Sequence, residues 1–323
     1  MNKVKIGFIG VGGMAENHIK KLQKIEQAEL TAIYDINAER AKQVADTYGA
    51  EVFASDRQMM DSGKVDALFV CTPPFARGTV EEEAAAKGIH LLSEKPVALD
   101  KETARRISRA IDQAGIINSS GYCLRYLETV QKAKSYLEGK KIDMVLSYRI
   151  GGLPPMKWWA QQDKSGGQVV EQATHQVDLL RYLAGEFDTV QSLTAQRGIR
   201  QLDPDATISD VGVTSFTLRS GAIGSFVNSC ISPHFGRGDV ELFGQDFYLS
   251  IKGNSLTIHD AGQKLNEKCE TDFYLEQDRA FVEAVRTGRQ DLVLGSYAEA
   301  VATLEATLAF NEAAESGSTA TVR

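Results

Sequence analysis

Cysteine is scarce in this chain, basic charge is in deficit and long apolar runs are missing. Four cysteines occur in 323 residues, Cys71, Cys123, Cys230 and Cys269, at intervals of 52, 107 and 39 residues and with no CxxC or Cys/His cluster. That spacing excludes a disulfide scaffold and a zinc module, and it implies reduced thiols in a cytoplasmic protein. Apolar runs fall short of the roughly 18 residues that a membrane span needs. Residues 1–21 do put lysines ahead of an apolar patch, but glycines and charges interrupt it too early for a signal peptide, and a buried strand entering a glycine turn is the better reading. Lysine and arginine total 36 against 43 acidic residues, a formal charge of −7. A nucleic-acid binder, or a binder of anionic membranes, carries the opposite balance, so neither partner is expected.

What the chain does have is 43% hydrophobic and 24% charged residues, a soluble globular profile rather than a disordered one. Its length predicts two domains at roughly 100–200 residues each. From residue 4 to about 117, short apolar runs alternate with amphipathic stretches, the mark of a parallel sheet covered by crossover helices. Strands are expected at 4–9, 30–34, 67–71, 90–93 and 116–119, and helices at 14–25, 38–48, 79–87 and 100–114. Gly88 and Gly115 stand in the stop position of the last two helices. After about residue 121 the pattern changes. A helix at 128–138 precedes strands at 144–150, 190–197, 211–219, 222–229, 239–243, 247–252 and 255–259, with hairpin signals at Ser220-Gly221 and Gly253-Asn254. Helices at 275–287 and 297–314 follow. The expected architecture is an α/β Rossmann domain with a doubly wound parallel sheet over 1–120, then an α+β domain over 121–323 with a large, mainly antiparallel open sheet.

Gly10-Val11-Gly12-Gly13-Met14-Ala15 lies directly between the first strand and the first helix. Gly10 makes the tight turn, Gly12 lets backbone approach a pyrophosphate, and Ala15 permits close helix–strand packing. The amides of Gly13 and Met14 then open a helix N-terminus suited to phosphates. Asp35 ends the second strand, where a carboxylate accepts the adenosine ribose hydroxyls and repels a 2′-phosphate, which favours NAD. The competing role for Asp35 is to start the next helix. Arg40 lies near enough in sequence to keep NADP as a minority option.

Lys95 follows Glu94 and precedes Pro96 at the carboxyl end of a buried strand, the end at which open α/β sheets bind ligands. There a lysine can hold a substrate hydroxyl or the nicotinamide ribose and stabilise a developing alkoxide, or it can be a solvated lysine near a helix start. In the segment 166–185, Glu171, His175 and Asp178 fall at i, i+4 and i+7 and would share one helical face. A carboxylate one turn from an imidazole suits proton transfer near neutral pH. A charged face turned to water and a metal site compete with that reading, although two carboxylates and one histidine make an incomplete zinc set, so no metal is expected. Trp158-Trp159 upstream suggests a loop facing a sugar ring.

Together these motifs resemble the glucose-fructose oxidoreductase / inositol dehydrogenase / rhizopine-catabolism (MocA) family. The resemblance runs from Ile6-Gly7-Phe8-Ile9-Gly10-Val11-Gly12 through Ala38-Glu39-Arg40-Ala41, Cys71-Thr72-Pro73-Pro74, Glu94-Lys95-Pro96 and Gly121-Tyr122-Cys123-Leu124-Arg125-Tyr126 to the segment 166–178. It implies a Rossmann domain, then an α/β domain whose open sheet packs subunits into a homodimer or homotetramer. It also implies catalytic roles for Lys95 and His175, with Thr72, Pro73 and Glu94 lining the nicotinamide side. Two positions depart from the pattern. Glu171 replaces the usual aspartate four residues before the histidine, and Arg77 stands where a histidine is frequent, which would make the pocket rim more cationic and suit a phosphorylated or carboxylated substrate.

The expected function is NAD(P)-dependent oxidation of a secondary alcohol in a sugar, sugar derivative or cyclitol. His175 would take the proton, Lys95 would hold the same oxygen, and Glu171 would orient His175 or the substrate. Arg77, Arg125, Trp158, Trp159 and Asp178 complete the expected substrate side. Alternatives are a glycosidase of the same family that uses tightly held NAD transiently, and a sugar or dinucleotide sensor. Aromatics such as Phe243, Phe247 and Tyr248 on an open sheet would need covering by another subunit.

Overall fold

The computed structural model describes residues 3–262 and 264–322. The chain forms two compact units, Met1–Cys123 with Asp272–Val301, and Leu124–Thr271 with Ala302–Arg323. The segment Asp272–Val301 therefore returns to the first unit, a feature that a single boundary near residue 120 does not contain.

The first unit is built on six parallel strands, β1 (Val4–Ile9), β2 (Ala28–Tyr34), β3 (Glu51–Val52), β4 (Ala67–Val70), β5 (His90–Ser93) and β6 (Asn118–Ser120). Their spatial order is β3-β2-β1-β4-β5-β6, the order of doubly wound dinucleotide-binding sheets. Strands buried on both faces read as continuous apolar runs, and all four residues of β4 are buried. Phe8 of β1 stacks on Phe69 of β4 at 4.9 Å, and Phe281 of the returning helix Phe273–Thr287 meets Phe69 edge-on at 5.5 Å. The helix Lys101–Ala114 starts on Asp100, whose carboxylate accepts the Thr103 amide at 2.8 Å, and stops at Gly115 with φ +63°.

The second unit carries a nine-stranded sheet made of β7 (Met144–Ile150), β8 (Phe187–Ala195), β9 (Val211–Leu218), β10 (Ile223–Ser229), β11 (Asp239–Gly244), β12 (Phe247–Lys252), β13 (Ser255–Asp260), β14 (Lys264–Lys268) and β15 (Ala320–Thr321). The order is β14-β13-β12-β11-β7-β10-β9-β8-β15. β7 and β10 pair in parallel, and the other neighbours are antiparallel. Both hairpin signals are realised, joining β9 to β10 and β12 to β13. Three strands are absent from the sequence expectation. β3 and β15 have two residues each, and β14 (KLNEK) is an edge strand rich in charge, so none presents an apolar run. Phe243 and Tyr248 are cross-strand partners on one face, as expected, but Phe247 pairs with Gly244 in the next register position and so lies on the other face, buried beside Tyr136.

Candidate functional site

In the first unit, β1 delivers the chain into a turn at Gly10, where φ is +81° and a Cβ would stand 2.8 Å from Thr72 Cγ2. Only glycine fits that backbone and that contact. The helix Gly13–Leu22 follows with Gly12 as its cap and no side chain bonded to its first amides. A Cβ on Gly12 or Gly13 would meet nothing within 4 Å, so this N-terminus faces open space. Met14 in its first turn is 37% exposed. Asp35 holds the turn from the β2 side, accepting Val11 N–H through Oδ2 and Asn37 N–H through Oδ1, each at 2.8 Å. The cap of the helix Ala38–Tyr48 is Asn37, which accepts the Arg40 amide, so helix initiation does not account for Asp35. The Arg40 guanidinium lies 3.8 Å from Asp35.

At the end of β4, Thr72 Oγ1 is buried with no hydrogen-bond partner, next to Gly10. Pro73 follows and leads into the short turn Pro74–Ala76. An unpartnered hydroxyl, an uncapped helix N-terminus and a carboxylate at the end of β2 fit an NAD molecule laid across this edge of the sheet. Arg77 is not on a rim: it is 4% exposed, donates from Nε to the Thr72 carbonyl at 3.2 Å and lies 3.7 Å from Glu81. Burial raises the Glu81 carboxyl while Arg77 opposes that rise.

β5 is followed by Glu94 and half-buried Lys95, and the Lys95–Pro96 peptide is cis. Glu94 is 6% exposed. Its Oε2 accepts the Lys95 N–H at 3.0 Å and its Oε1 lies 3.2 Å from His18 Nε2. His18, on the helix Gly13–Leu22, meets Asp278 with its other nitrogen at 2.8 Å. Burial by itself drives the imidazole down, but Asp278 and Glu94 together outweigh it and hold the His18 pKa up at about 10. Glu94 therefore faces protein groups on both oxygens rather than opening onto a cofactor.

In the second unit, the stretch expected as one helix is two, Gln168–Glu171 and Thr174–Ala184. The Gln168 carbonyl accepts the amides of both Gln172, at 2.9 Å, and Ala173, at 2.8 Å. That second bond, five residues long, inserts a residue into the turn and ends the common face of Glu171, His175 and Asp178. Asp178 turns inward, 1% exposed, and binds Arg125 through two bonds, Nε to Oδ2 at 2.8 Å and Nη2 to Oδ1 at 2.7 Å. Arg125 is 2% exposed, so these two residues satisfy each other in the interior and neither forms an open substrate surface. Trp159 is likewise fully buried, packed with Ile199, Ile208 and Cys230. Its indole N–H donates to Glu171, so it braces Glu171 and offers no ring platform. Trp158, Glu171 and His175 are partly buried. Arg149, on β7, completes this group. Burial lowers its pKa from the usual guanidinium value and the Glu171 carboxylate opposes the fall.

Comparison with known proteins decides the family. Residues 4–122 match the model described as an oxidoreductase family with an NAD-binding Rossmann fold, and residues 130–249 match the GFO/IDH/MocA C-terminal domain. The chain belongs to the GFO/IDH/MocA oxidoreductases. It is 30% identical over 201 residues to glucose-6-phosphate 3-dehydrogenase of Bacillus subtilis, covering 59% of this chain and 57% of that protein. Against myo-inositol 2-dehydrogenase of Thermotoga maritima it is 24% identical over 309 residues, covering 90% and 91%. Levoglucosan dehydrogenase, solved with NADH and L-sorbose, has the same fold, with a TM-score of 0.90 over 100% of both chains at 19% identity.

This GFO/IDH/MocA chain is thus an NAD(P)-dependent dehydrogenase with the cofactor half at its Rossmann sheet. No helix among the described residues is long and apolar enough to cross a membrane. Sequence reasoning missed His18, Asp278 and Arg149. A single histidine among the polar residues of the first helix carries no spacing signal, and Asp278 lies 260 residues away. Arg149 stands next to last in a strand whose pattern gives no sign of a polar neighbour such as Glu171.

Proposed function

We propose that the enzyme oxidises a secondary alcohol of a sugar, sugar derivative or cyclitol. When bound, NAD supplies the hydride acceptor. Lys95 holds the reacting oxygen with its ammonium group, His175 takes the hydroxyl proton, and Glu171, braced by Trp159, orients the substrate beside Arg149. The observation that carries this reading is the end of β5, where a half-buried lysine projects from a backbone held by Glu94, in the sheet that carries the glycine turn and Asp35. Relatives named for glucose 6-phosphate and myo-inositol support the substrate class. In the same reading, a second copy of the chain covers the open face of the large sheet. By strand register Leu193, Val213, Met144 and Ile223 share that face, and they are 77%, 51%, 38% and 58% exposed.

The test is NADH formation across a panel of sugars, inositols and their phosphates, with NAD and NADP side by side. Lys95→Met and His175→Ala should each lower turnover by ~10²–10⁴ and leave cofactor binding nearly intact. Wild-type turnover in both variants would sink the assignment. Cofactor retained through purification with no net NADH release from any free sugar would point to the glycosidase instead.

A further inference from the structure

His18 is a fully buried charge that the proposed chemistry does not use. Both of its ring nitrogens face carboxylates: Nδ1 lies 2.8 and 3.0 Å from the two oxygens of Asp278, and Nε2 lies 3.2 Å from Glu94 Oε1. A neutral imidazole has one N–H and one lone pair, so it would turn a lone pair on one of these anions. Only the imidazolium donates to both. Phe69 and Tyr274 pack edge-on against the ring at 5.3 and 5.8 Å and keep water from it. The remaining oxygen of Glu94 accepts the Lys95 amide. The same carboxylate is pressed against Gly121, where a Cβ would stand 2.5 Å from Oε2.

We propose that His18 is a positioning residue for Lys95: it clamps the Glu94 carboxylate between Asp278 and the Lys95 amide, and so fixes the backbone from which the lysine projects. The inference rests on the reading of Lys95 as a catalytic group. Without the clamp, Glu94 is a buried carboxylate that has lost the imidazolium at Oε1. Such a group takes up a proton or turns toward water, and either change loosens its hold on the Lys95 amide. The clamp also ties the lysine to two helices distant in sequence, Gly13–Leu22 through His18 and Phe273–Thr287 through Asp278. The returning segment of the first unit thereby acquires a role in the site.

The test compares wild type with His18→Leu/Asp278→Leu, which removes the imidazolium together with its nearer counter-ion and so confines the loss to the contact with Glu94. Measured are Tm, the NADH Kd by fluorescence quenching, kcat and KM with whichever sugar or cyclitol of the panel turns over, and the rate of Lys95 acetylation by acetic anhydride, read by mass spectrometry. The expected result is a folded protein with nearly unchanged NADH affinity, a kcat lower by about 10–100-fold and an altered Lys95 acetylation rate. A purely structural role would lower Tm and leave kcat per folded molecule unchanged. Should the double variant fail to fold, His18→Gln, whose amide can turn its N–H end toward one carboxylate only while its oxygen takes the place of the other ring nitrogen, decides by the same criteria. Wild-type kcat in the folded variant overturns the clamp. If Lys95→Met is inactive in that experiment, only the clamp falls; if Lys95→Met is fully active, the reading of Lys95 falls first.

Discussion

Removing the Asp178 carboxylate separates an interior role from a substrate-binding one. Asp178 and Arg125 are 1% and 2% exposed and joined by two bonds of 2.8 and 2.7 Å. Thr303 also donates to Asp178 at 3.0 Å and itself accepts Arg181 at 2.7 Å, while the Arg125 guanidinium lies 4.7 Å from the Tyr182 ring centre. Asp178→Ala therefore takes from a buried guanidinium the carboxylate that holds it through two bonds, which costs about 3–5 kcal/mol. For a unit of this size that lowers Tm by roughly 6–20 °C. Arg125→Met/Asp178→Leu removes both charges together and should recover most of the loss, because no uncompensated ion remains. Thermal and urea melts of the three proteins give the stabilities, and KM for the turned-over sugar is measured on folded material. An Asp178→Ala protein with wild-type Tm and a raised KM would refute the argument and return both residues to the substrate surface.

Asp35→Ser deletes the carboxylate expected to receive the ribose hydroxyls. Loss of hydrogen bonds to a charged group, ~1.5–3 kcal/mol, should weaken NAD use by about 10–100-fold and raise the relative use of NADP, measured as kcat/KM for each cofactor. An unchanged NAD preference would remove Asp35 from the cofactor site. Trp159→Phe removes the indole donor to Glu171 and should destabilise the second unit by ~1–3 kcal/mol; an unaltered melt would show that the bond contributes nothing. For His18 the sign follows from its raised pKa. The stabilisation is fully present below the unfolded value near 6.5, declines as pH rises and is lost through about 10. The stability advantage of wild type over His18→Leu/Asp278→Leu should therefore shrink between neutral pH and pH ~10. An advantage that grows over that interval would mean His18 is not held as an imidazolium.

The strands at 4–9 and 90–93 and the helix at 38–48 agree residue for residue with β1, β5 and the helix Ala38–Tyr48, because apolar runs and helical periodicity are local properties. The helix at 14–25 ends earlier, at Leu22, and the strand at 116–119 begins later, at Asn118. At such ends the last hydrogen bonds depend on what packs alongside. The interrupted helix was not legible, since the apolar spacing of Val170, Val177 and Leu180 runs on through the break. What breaks the helix is the Gln168 carbonyl accepting two amides, and no residue type at 172 or 173 announces it.

Composition and spacing alone determined the doubly wound sheet, the glycine turn with Asp35 and the Glu94-Lys95-Pro96 corner. Each depends on residues adjacent in sequence or at fixed helical and strand periods. Tertiary structure alone decided which charged groups are available for chemistry. Arg125 is consumed by Asp178 across 53 residues, and Trp159 is spent on bracing Glu171. His18 is charged because packing brings Asp278 against it from 260 residues away. A buried ion must find its counter-ion wherever packing places one, and that partner leaves no period in the sequence.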